Sequence, residues 1–383
     1  MKKYLLSFAV IMSAALFTAC DKDNEPQKYE VPVSNGVYVI GSGNQSQSIV
    51  GSLTYFDYDK KAATLDAFGQ ANGGMKLGMT VNDAVRYGDK LYIVVDGEHT
   101  VFVCNAKNLK LLTKIDMTSA TMLGEEGGVS PRRVVADEGK IYVSTFGGYV
   151  AAIDTVNFSL VKKYQVGSKP EGLYVADGAL ITADSDYGYG NASITVINLS
   201  TGESQTLKNE NIRNPQEIAV DGNGAIYFLD YGQYDSEPPY AQRNAGVYRI
   251  TGSTDNLVVT KLIENATGMA CGGSKIYTYN APYSYGDPAP VTYSIYDVET
   301  GSTYSFSPKD IESPAAIGID PLTGDLFIAS YHMIESEWGT YADYSSNGYV
   351  NYYDTSFNKK GTFDCGVGPQ RIVFNIGTEI IEY

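Results

Sequence analysis

Four long segments in the second half of the chain place aromatic side chains where loops usually carry small polar residues. They are residues 184–191, 230–244, 280–290 and 330–347. An aromatic side chain that stays exposed forgoes burial worth roughly 1.5–3 kcal/mol, whereas tyrosine and tryptophan offer a large, rigid contact surface with a polar tip. These segments therefore predict a binding surface for a bulky, partly apolar ligand with polar edges. The candidate contacts are Tyr187, Tyr189, Tyr231, Tyr234, Tyr240, Tyr283, Tyr285, Tyr331, His332 and Trp338.

A second group of candidate contacts is polar and lies where predicted strands begin. Arg132, Arg133 and Arg371 follow short proline or polar steps, and they could hydrogen-bond the amides or a phosphate of a ligand. Equivalent positions carry acids, among them Glu171 and Glu217, so these side chains could instead pair with one another. For the aromatic loops the alternative is that they pack against one another and form small hydrophobic cores of their own. Both alternatives stay open at this stage.

Signals for catalysis are weak. The chain has no G-x-S-x-G nucleophile motif, and a lone His332 in a tyrosine-rich loop is more typical of a hydrogen-bonding contact than of a general base. Some lactonases are β-propellers, rings of sheets around a central pore, and hold a metal at the mouth of that pore through carboxylates and amides. Glu171, Glu217 or Asp83 could provide similar ligands. We predict no catalytic residue and no enzymatic activity.

The cysteines beyond Cys20 do not form a metal-binding pattern. A zinc site needs clustered cysteine or histidine ligands, but these three cysteines are widely spaced and only two histidines are present. We therefore predict no metal site and three buried free thiols. The three are Cys104, Cys271 and Cys365.

Seven similar units carry the loops. Their second strands are stiff and apolar, as in KLYIVV (90–95) and KIYVS (140–144), and they recur every 40–55 residues or so, a spacing typical of β-propellers. The first unit starts at a second strand (36–40), whereas the chain ends with a first strand (368–374), which should complete the first blade. We predict an all-β, seven-bladed β-propeller over residues 33–383; six blades would require one unit to be an insertion.

The repeat also sorts the loops by face. In a four-stranded blade, the loops between the second and third strands share one face with the blade-to-blade connections, and the remaining turns lie on the other. The four aromatic segments are second-to-third loops of the fourth to seventh units, so they should stand side by side on the first face, called the loop-rich face below.

The N-terminal residues are typical of a lipoprotein signal. Lys2 and Lys3 precede an apolar run that ends in LFTAC at Cys20. We predict that residues 1–19 are removed, that Cys20 is lipidated and anchors the protein to a membrane, and that residues 20–32 form a flexible acidic tether. The alternative is a plain signal peptide in which Cys20 plays no part.

The charge balance argues against nucleic acid as a partner. The chain has 28 basic and 44 acidic residues and a formal net charge of −16. Removal of residues 1–19 takes away two lysines and no acid, which leaves 26 bases against 44 acids, or −18. Such a surface repels phosphate backbones.

The lipobox-like end, the acidic run DKDNE (21–25), the seven repeats and the tyrosine-rich loops together resemble the BtuG family, the surface cobalamin-binding propeller lipoproteins of Bacteroides. The resemblance implies capture of cobalamin or related corrinoids at the outer membrane, on the outside of the cell. It also implies delivery to a TonB-dependent outer-membrane barrel transporter. A corrinoid has a broad apolar ring edged by amides, which suits tyrosine faces and hydroxyls.

Other functions share most of these features. A glycan-binding lipoprotein would differ only in its ligand. A metal-dependent lactonase or lyase would hold a divalent ion in the pore, and an interaction scaffold would use the loop-rich face to contact a partner chain.

Overall fold

The computed structural model describes residues 28–238, 240–252, 256–282, 289–337 and 339–382. The predicted signal peptide, Cys20 and three of the candidate contacts, Tyr283, Tyr285 and Trp338, lie outside the described residues. Strands dominate the described part. No helix within it is long and apolar enough to cross a membrane. Its helices are α1 (Ala67–Ala71), α2 (Gly124–Gly127) and two 3-10 turns, Gln45–Gln47 and Asp186–Gly188.

The strands follow one another along the whole described chain. The first eleven are β1 (Lys28–Gly41), β2 (Ser52–Asp57), β3 (Ala62–Thr64), β4 (Val81–Tyr87), β5 (Lys90–Val95), β6 (Thr100–Asn105), β7 (Leu111–Asp116), β8 (Pro131–Asp137), β9 (Lys140–Thr145), β10 (Tyr149–Asp154) and β11 (Leu160–Gln165). The next ten are β12 (Pro170–Ala176), β13 (Ala179–Asp184), β14 (Ser193–Asn198), β15 (Ser204–Leu207), β16 (Pro215–Val220), β17 (Ile226–Asp230), β18 (Gln233–Tyr234), β19 (Gln242–Arg243), β20 (Gly246–Thr251) and β21 (Val258–Glu264). The last eleven are β22 (Gly268–Gly272), β23 (Lys275–Asn280), β24 (Thr292–Asp297), β25 (Ser302–Ser305), β26 (Ser313–Ile319), β27 (Leu326–Tyr331), β28 (Met333–Ser336), β29 (Gly339–Ala342), β30 (Asn347–Tyr353), β31 (Lys359–Val367) and β32 (Pro369–Glu382).

Within the described residues these strands form seven four-stranded antiparallel sheets and two two-stranded ribbons. Sheet 1 has the order β32-β1-β2-β3, and sheets 2, 3 and 4 contain β4–β7, β8–β11 and β12–β15. Sheet 5 is β16-β17-β20-β21, sheet 6 is β22–β25, and sheet 7 is β26-β27-β30-β31. The ribbons β18–β19 and β28–β29 belong to the second-to-third loops of sheets 5 and 7. The first strand in each of these orders is called the inner strand. The prediction of an all-β chain of four-stranded units is confirmed.

The two ends of the described chain meet in sheet 1. β32 pairs antiparallel with β1 from Lys28–Glu382 through Ile40–Arg371, so the prediction that the C-terminal strand completes the first sheet is confirmed. The predicted tether boundary is wrong at its C-terminal side, because β1 already begins at Lys28 and not at residue 33. The reason is the length of β32, whose last residues supply backbone partners for residues 28–32.

The strands are apolar on both sides because each sheet packs on two others. In β5, Leu91 and Ile93 pack in a cluster with sheet 1, whereas Tyr92 and Val94 pack in a cluster with sheet 3. Side chains of a strand alternate between its two faces, so a strand between two sheets is a continuous apolar run. Seven clusters of this kind join each described sheet to the next along the chain, and one of them joins sheet 7 to sheet 1.

The inner strands share an irregularity where they begin. Six of the seven described inner strands shift register against the second strand of their sheet near their first residues, for example between Val81 and Asp83 and between Pro215 and Glu217. A β-bulge sets two residues opposite one and re-aims a side chain. Such positions tolerate proline, which has no N–H to donate to a neighbouring strand. Four of the described inner strands, β8, β12, β16 and β32, begin with proline, and β26 has proline as its second residue. These prolines are Pro131, Pro170, Pro215, Pro369 and Pro314.

Sheet 6 is the exception among these strands. Gly268 opens β22 in regular register with Tyr279 of β23. A Cβ at Gly268 would lie 2.1 Å from the Tyr279 ring, so glycine is required for that ring to cross the start of the inner strand.

Phe327 is expected to be essential for the contact between sheets 7 and 1. Its side chain is almost fully buried, and its ring stacks on Tyr352 at 5.4 Å and on Tyr58 at 6.0 Å and meets the edge of Phe374 at 5.6 Å. Phe327→Ala should lower the free energy of unfolding by about 3–5 kcal/mol, measured by guanidinium denaturation. Leu112→Ala, at a half-exposed strand position, should change it by less than about 0.5 kcal/mol. Equal effects of the two substitutions would contradict the packing described.

Candidate functional site

The four aromatic segments connect second to third strands, as predicted. They join β13 to β14, β17 to β20, β23 to β24 and β27 to β30, in sheets 4 to 7. The starts of the inner strands lie at the same end of the sheets, because neighbouring strands are antiparallel. The described candidate aromatics and the candidate arginines therefore lie at the same end of their sheets, on the loop-rich face.

Buried carboxylates at the ends of two second strands hold the loops that follow. Asp184 accepts hydrogen bonds from three side-chain hydroxyls at 2.5–2.9 Å. Burial raises the pKa of Asp184 to about 6, although these hydroxyls oppose the shift. Asp230 accepts from the backbone N–H groups of Arg213, Asn214 and Gly232 at 2.7–3.1 Å. These hydrogen bonds therefore hold in place the first residues of the second-to-third loops of sheets 4 and 5.

At the start of the inner strands, four charged side chains form what we call the mouth cluster: Asp83, Arg133, Glu217 and Arg371. The Glu217 carboxylate accepts from Arg371 Nη1 at 2.6 Å and from Arg133 Nη2 at 3.0 Å, both on Oε1. Arg371 Nε also donates to Asp83 Oδ1 at 3.0 Å. Since the four residues lie on the inner strands of sheets 2, 3, 5 and 1, the cluster ties together strands that are distant in sequence.

Opposing effects set the protonation of the mouth cluster. Burial by itself would raise the pKa of Glu217, but the charges of Arg371 and Arg133 outweigh burial and lower it. Burial likewise disfavours the Arg371 cation, and Glu217 and Asp83 reverse that effect, so the pKa of Arg371 is raised. Both groups are therefore charged at neutral pH.

Arg132 forms a separate cluster beside the mouth. Its guanidinium donates from Nε to both Glu171 carboxylate oxygens at 3.0 and 3.1 Å and from Nη1 to Asp96 Oδ2 at 2.9 Å. The same group lies 4.4 Å from the ring centre of Phe146, a cation–π distance. All three candidate arginines therefore have carboxylate partners, and further bonds to a ligand remain a prediction.

Aromatic rings from the loops of sheets 3 and 4 lie next to the Arg132 cluster. Phe146 meets Tyr187 edge to face at 5.0 Å, and the Lys169 ammonium lies 4.5 Å from the Tyr187 ring centre and 4.9 Å from that of Tyr189. Tyr187 is 45% exposed and Tyr189 is 77% exposed. We call Phe146, Lys169, Tyr187 and Tyr189 the sheet-4 aromatic cluster. It presents two phenol rings and a cation on the loop-rich face.

The backbone beneath this cluster is strained. Asp186 and Tyr187 both have left-handed backbones, with φ of +46° and +51°, a conformation that costs a non-glycine residue roughly 1–3 kcal/mol. Asp186 is held by the N–H of Asn191, which donates to its carboxylate at 2.9 Å. Strain of this kind persists where the surroundings fix the geometry, and it is frequent at binding sites.

Tyr231 of sheet 5 and Tyr279 of sheet 6 lie close enough to Glu217 of the mouth cluster to feel its charge. Burial, assisted by the charge of Glu217, raises the pKa of Tyr231 to about 12. The pKa of Tyr279 is raised well above its usual value by burial, with contributions from Tyr231 and Tyr331. The Tyr231 and Tyr279 phenols therefore stay protonated at neutral pH.

The remaining candidates lie farther out. Tyr234 is half-exposed on the ribbon β18–β19, and Tyr240 is half-buried in the same loop. His332 lies 3.1 Å from Glu312 through Nδ1 and 4.7 Å from the ring centre of Tyr349. His332 is thus a hydrogen-bonding residue in this structure.

Three residues of the site escaped the sequence analysis: Phe146, Lys169 and Tyr279. Phe146 follows a second strand directly, in a loop too short to attract attention, and Lys169 immediately precedes an inner strand. Both residues lie in connections that the repeat assigns to the loop-rich face, so sorting every loop by face predicts Phe146 and Lys169 as well. Tyr279 lies near the end of an ordinary strand, and its ring crosses the start of β22 at Gly268.

The thiols and metal-binding groups give little further chemistry. Within the described residues no group of three or more His, Cys, Asp or Glu side chains is arranged to hold a metal ion. The three described cysteines are free, as predicted; Cys104 and Cys365 are buried, but Cys271 is only partly buried. Burial raises the pKa of both Cys104 and Cys271 to about 12, so their thiolates are scarce at neutral pH.

Comparisons with known proteins place the fold. A family model described as a domain of unknown function, DUF5074, matches residues 35–203. No curated protein matches the sequence. Among solved structures, a candidate 6-phosphogluconolactonase from Bacteroides uniformis is similar over 89% of this chain and 100% of its own, with a TM-score of 0.60 and 11% identity.

Two further structures are similar over 79% of this chain. Hydrazine synthase of Kuenenia stuttgartiensis has a TM-score of 0.56 at 14% identity and is covered over 95% of its length. Virginiamycin B lyase of Staphylococcus aureus has a TM-score of 0.52 at 13% identity and is covered over 96%. At such identities the likeness shows the fold alone, which is all-β and propeller-like.

Removal of the central carboxylate should destabilise the protein. Glu217→Gln would leave Arg133 and Arg371 without their shared partner, and breaking a buried pair in this way costs about 3 kcal/mol. Denaturant unfolding at pH 7 should show this loss, whereas Glu299→Gln, at an exposed turn position, should leave stability unchanged.

The pH dependence of that loss tests its cause. The pKa of Glu217 is lowered on folding, so its stabilisation is present above the unfolded-state pKa of about 4.3 and is lost as the pH falls further. The difference between wild type and Glu217→Gln should therefore be constant from about pH 5 to 8 and shrink below about pH 4. A difference that persists unchanged into acid would show that packing, not charge, is responsible.

Proposed function

We propose that the seven sheets close into a seven-bladed β-propeller whose loop-rich face binds a ligand. The supporting observations are the apolar clusters between consecutive sheets, including the one between sheets 7 and 1, and the pairing of β32 with β1. Ring closure removes the sheet edges that would otherwise favour aggregation. The mouth cluster then lies across the top of the central channel, so a large ligand would rest on the face and not enter it.

We infer that the ligand is cobalamin or a related corrinoid. The observation that carries this proposal is the sheet-4 aromatic cluster, in which Tyr187 and Tyr189 remain exposed beside Lys169 and the Arg132 cluster. Exposed rings on strained backbone are costly unless they serve a contact. A corrin ring offers apolar faces to such rings and carries amides at its edge that phenol hydroxyls and cations can hydrogen-bond.

The proposed setting is the cell surface. The lipoprotein-type signal ending at Cys20 would anchor the chain to the outer membrane, facing the exterior, and a TonB-dependent barrel transporter would receive the corrinoid. The role is binding and not catalysis. The acids that a metal-dependent lactonase or lyase would need at the mouth, Asp83, Glu171 and Glu217, are engaged here by arginines, which supports a binding role.

Direct titration tests the proposal. Calorimetry of the mature chain with cyanocobalamin should give saturable binding at micromolar concentration or below. The double variant Tyr187→Ala, Tyr189→Ala should weaken it at least tenfold, which is about 1.4 kcal/mol, since it removes both exposed rings.

A matched control separates the site from general effects of tyrosine removal. Tyr304→Ala removes a tyrosine that is 40% exposed on β25, the outer strand of sheet 6, and should bind as wild type does. No heat with micromolar cyanocobalamin, or equal weakening by both variants, would contradict the proposal.

A further inference from the structure

A pocket separate from the mouth cluster lies on the loop-rich face where sheet 7 meets sheet 1. Its volume is about 390 Å³, within the lower part of the 300–1,000 Å³ range of small-molecule sites. One wall is the turn formed by residues 42–46, and another consists of Tyr331 and Tyr344; Thr80 also lines the pocket. We call it the seam pocket.

The lining of the seam pocket is neutral and rich in hydrogen-bonding groups. Ser42, Ser46 and Thr80 contribute hydroxyls, Asn44 and Gln45 contribute amides, and the described lining contains no charged side chain. Burial, followed by the influence of Tyr344, raises the pKa of Tyr331 to about 12, so its phenol is also neutral at physiological pH. Because the described lining residues include no cation and the chain as a whole is acidic, anionic ligands are disfavoured.

The aromatic wall has one accessible ring. Tyr331 and Tyr344 meet edge to face, with ring centres 4.9 Å apart and planes at 70°. Tyr331 is partly buried, whereas Tyr344 remains 52% exposed. An exposed ring beside hydroxyls and amides can pack against the C–H face of a ring-shaped ligand while its edges are hydrogen-bonded.

The pocket is built from distant segments that are locked together. Asn44 Nδ2 donates to the Tyr344 carbonyl at 2.9 Å, and the backbones of Asn44 and Ile49 exchange two hydrogen bonds of 2.9 Å that close the turn. The Ser42 N–H donates to the Gly368 carbonyl at 2.8 Å. Loops held in this way lose little entropy when a ligand binds.

We infer that the seam pocket is a carbohydrate subsite for one or two neutral sugar rings. A sugar presents an apolar C–H face for Tyr344 and neutral hydroxyls for the amide of Gln45 and the hydroxyls of Ser46 and Thr80. The inference does not rest on corrinoid binding. The seam pocket uses different loops from the sheet-4 aromatic cluster, although Tyr331 belongs to the candidate aromatics.

Saturation-transfer NMR with a panel of neutral trisaccharides, maltotriose, cellotriose, mannotriose and xylotriose, tests this inference on the mature chain. At least one should receive saturation at its ring C–H protons. Tyr344→Ala should abolish the signal and Gln45→Ala should weaken binding about tenfold. Tyr341→Ala should keep it, because Tyr341 is a similarly exposed tyrosine of the same loop, 46% exposed, that does not line the pocket.

Absence of transfer from all four trisaccharides, or equal loss in Tyr344→Ala and Tyr341→Ala, would overturn the inference. A signal that survives saturating cyanocobalamin supports a separate subsite, whereas its displacement would assign the pocket to the corrinoid site and overturn it. If cyanocobalamin fails to bind while a trisaccharide binds, the proposed function fails and the seam pocket stands.

Discussion

The bulge at the start of the inner strands is the constraint on which the candidate site depends. Without it, regular alternation would direct successive side chains to the two neighbouring sheets, as in β5. The shift at Val81/Asp83, Pro131/Val134 and Pro215/Glu217 breaks that alternation where the inner strands begin. The charged side chains at these strand starts can then contact one another and form the mouth cluster.

The mouth cluster in turn fixes what the loop-rich face can offer. Glu217 is held by two arginines and Arg132 by two carboxylates, so most of the charge at the mouth is neutralised internally. What remains for a ligand is the aromatic and neutral polar surface around it, together with Lys169. Such a surface suits the bulky and largely uncharged ligand that we propose.

Much of the fold could be predicted from the sequence because packing on both sides of each sheet leaves a strong pattern. Runs such as KLYIVV mark the second strands, and the order of strands at the two termini indicates that β32 completes sheet 1. Pairing of charges across the mouth was one of two alternatives and needed the structure to decide. The early start of β1 at Lys28 was missed, since residues 28–32 are strand only because β32 extends far enough to pair with them. The position of the Tyr279 ring depends on the neighbouring strand β22, and no local sequence pattern records it.

The central claim is that a corrinoid binds on the loop-rich face, and hydrogen–deuterium exchange with and without cyanocobalamin tests it most directly. If a corrinoid binds there, exchange should slow in residues 185–192 and 231–245 and stay unchanged in turns of the opposite face such as 137–140 and 221–224. Unchanged exchange at saturating cyanocobalamin, or protection confined to the opposite face, would contradict it.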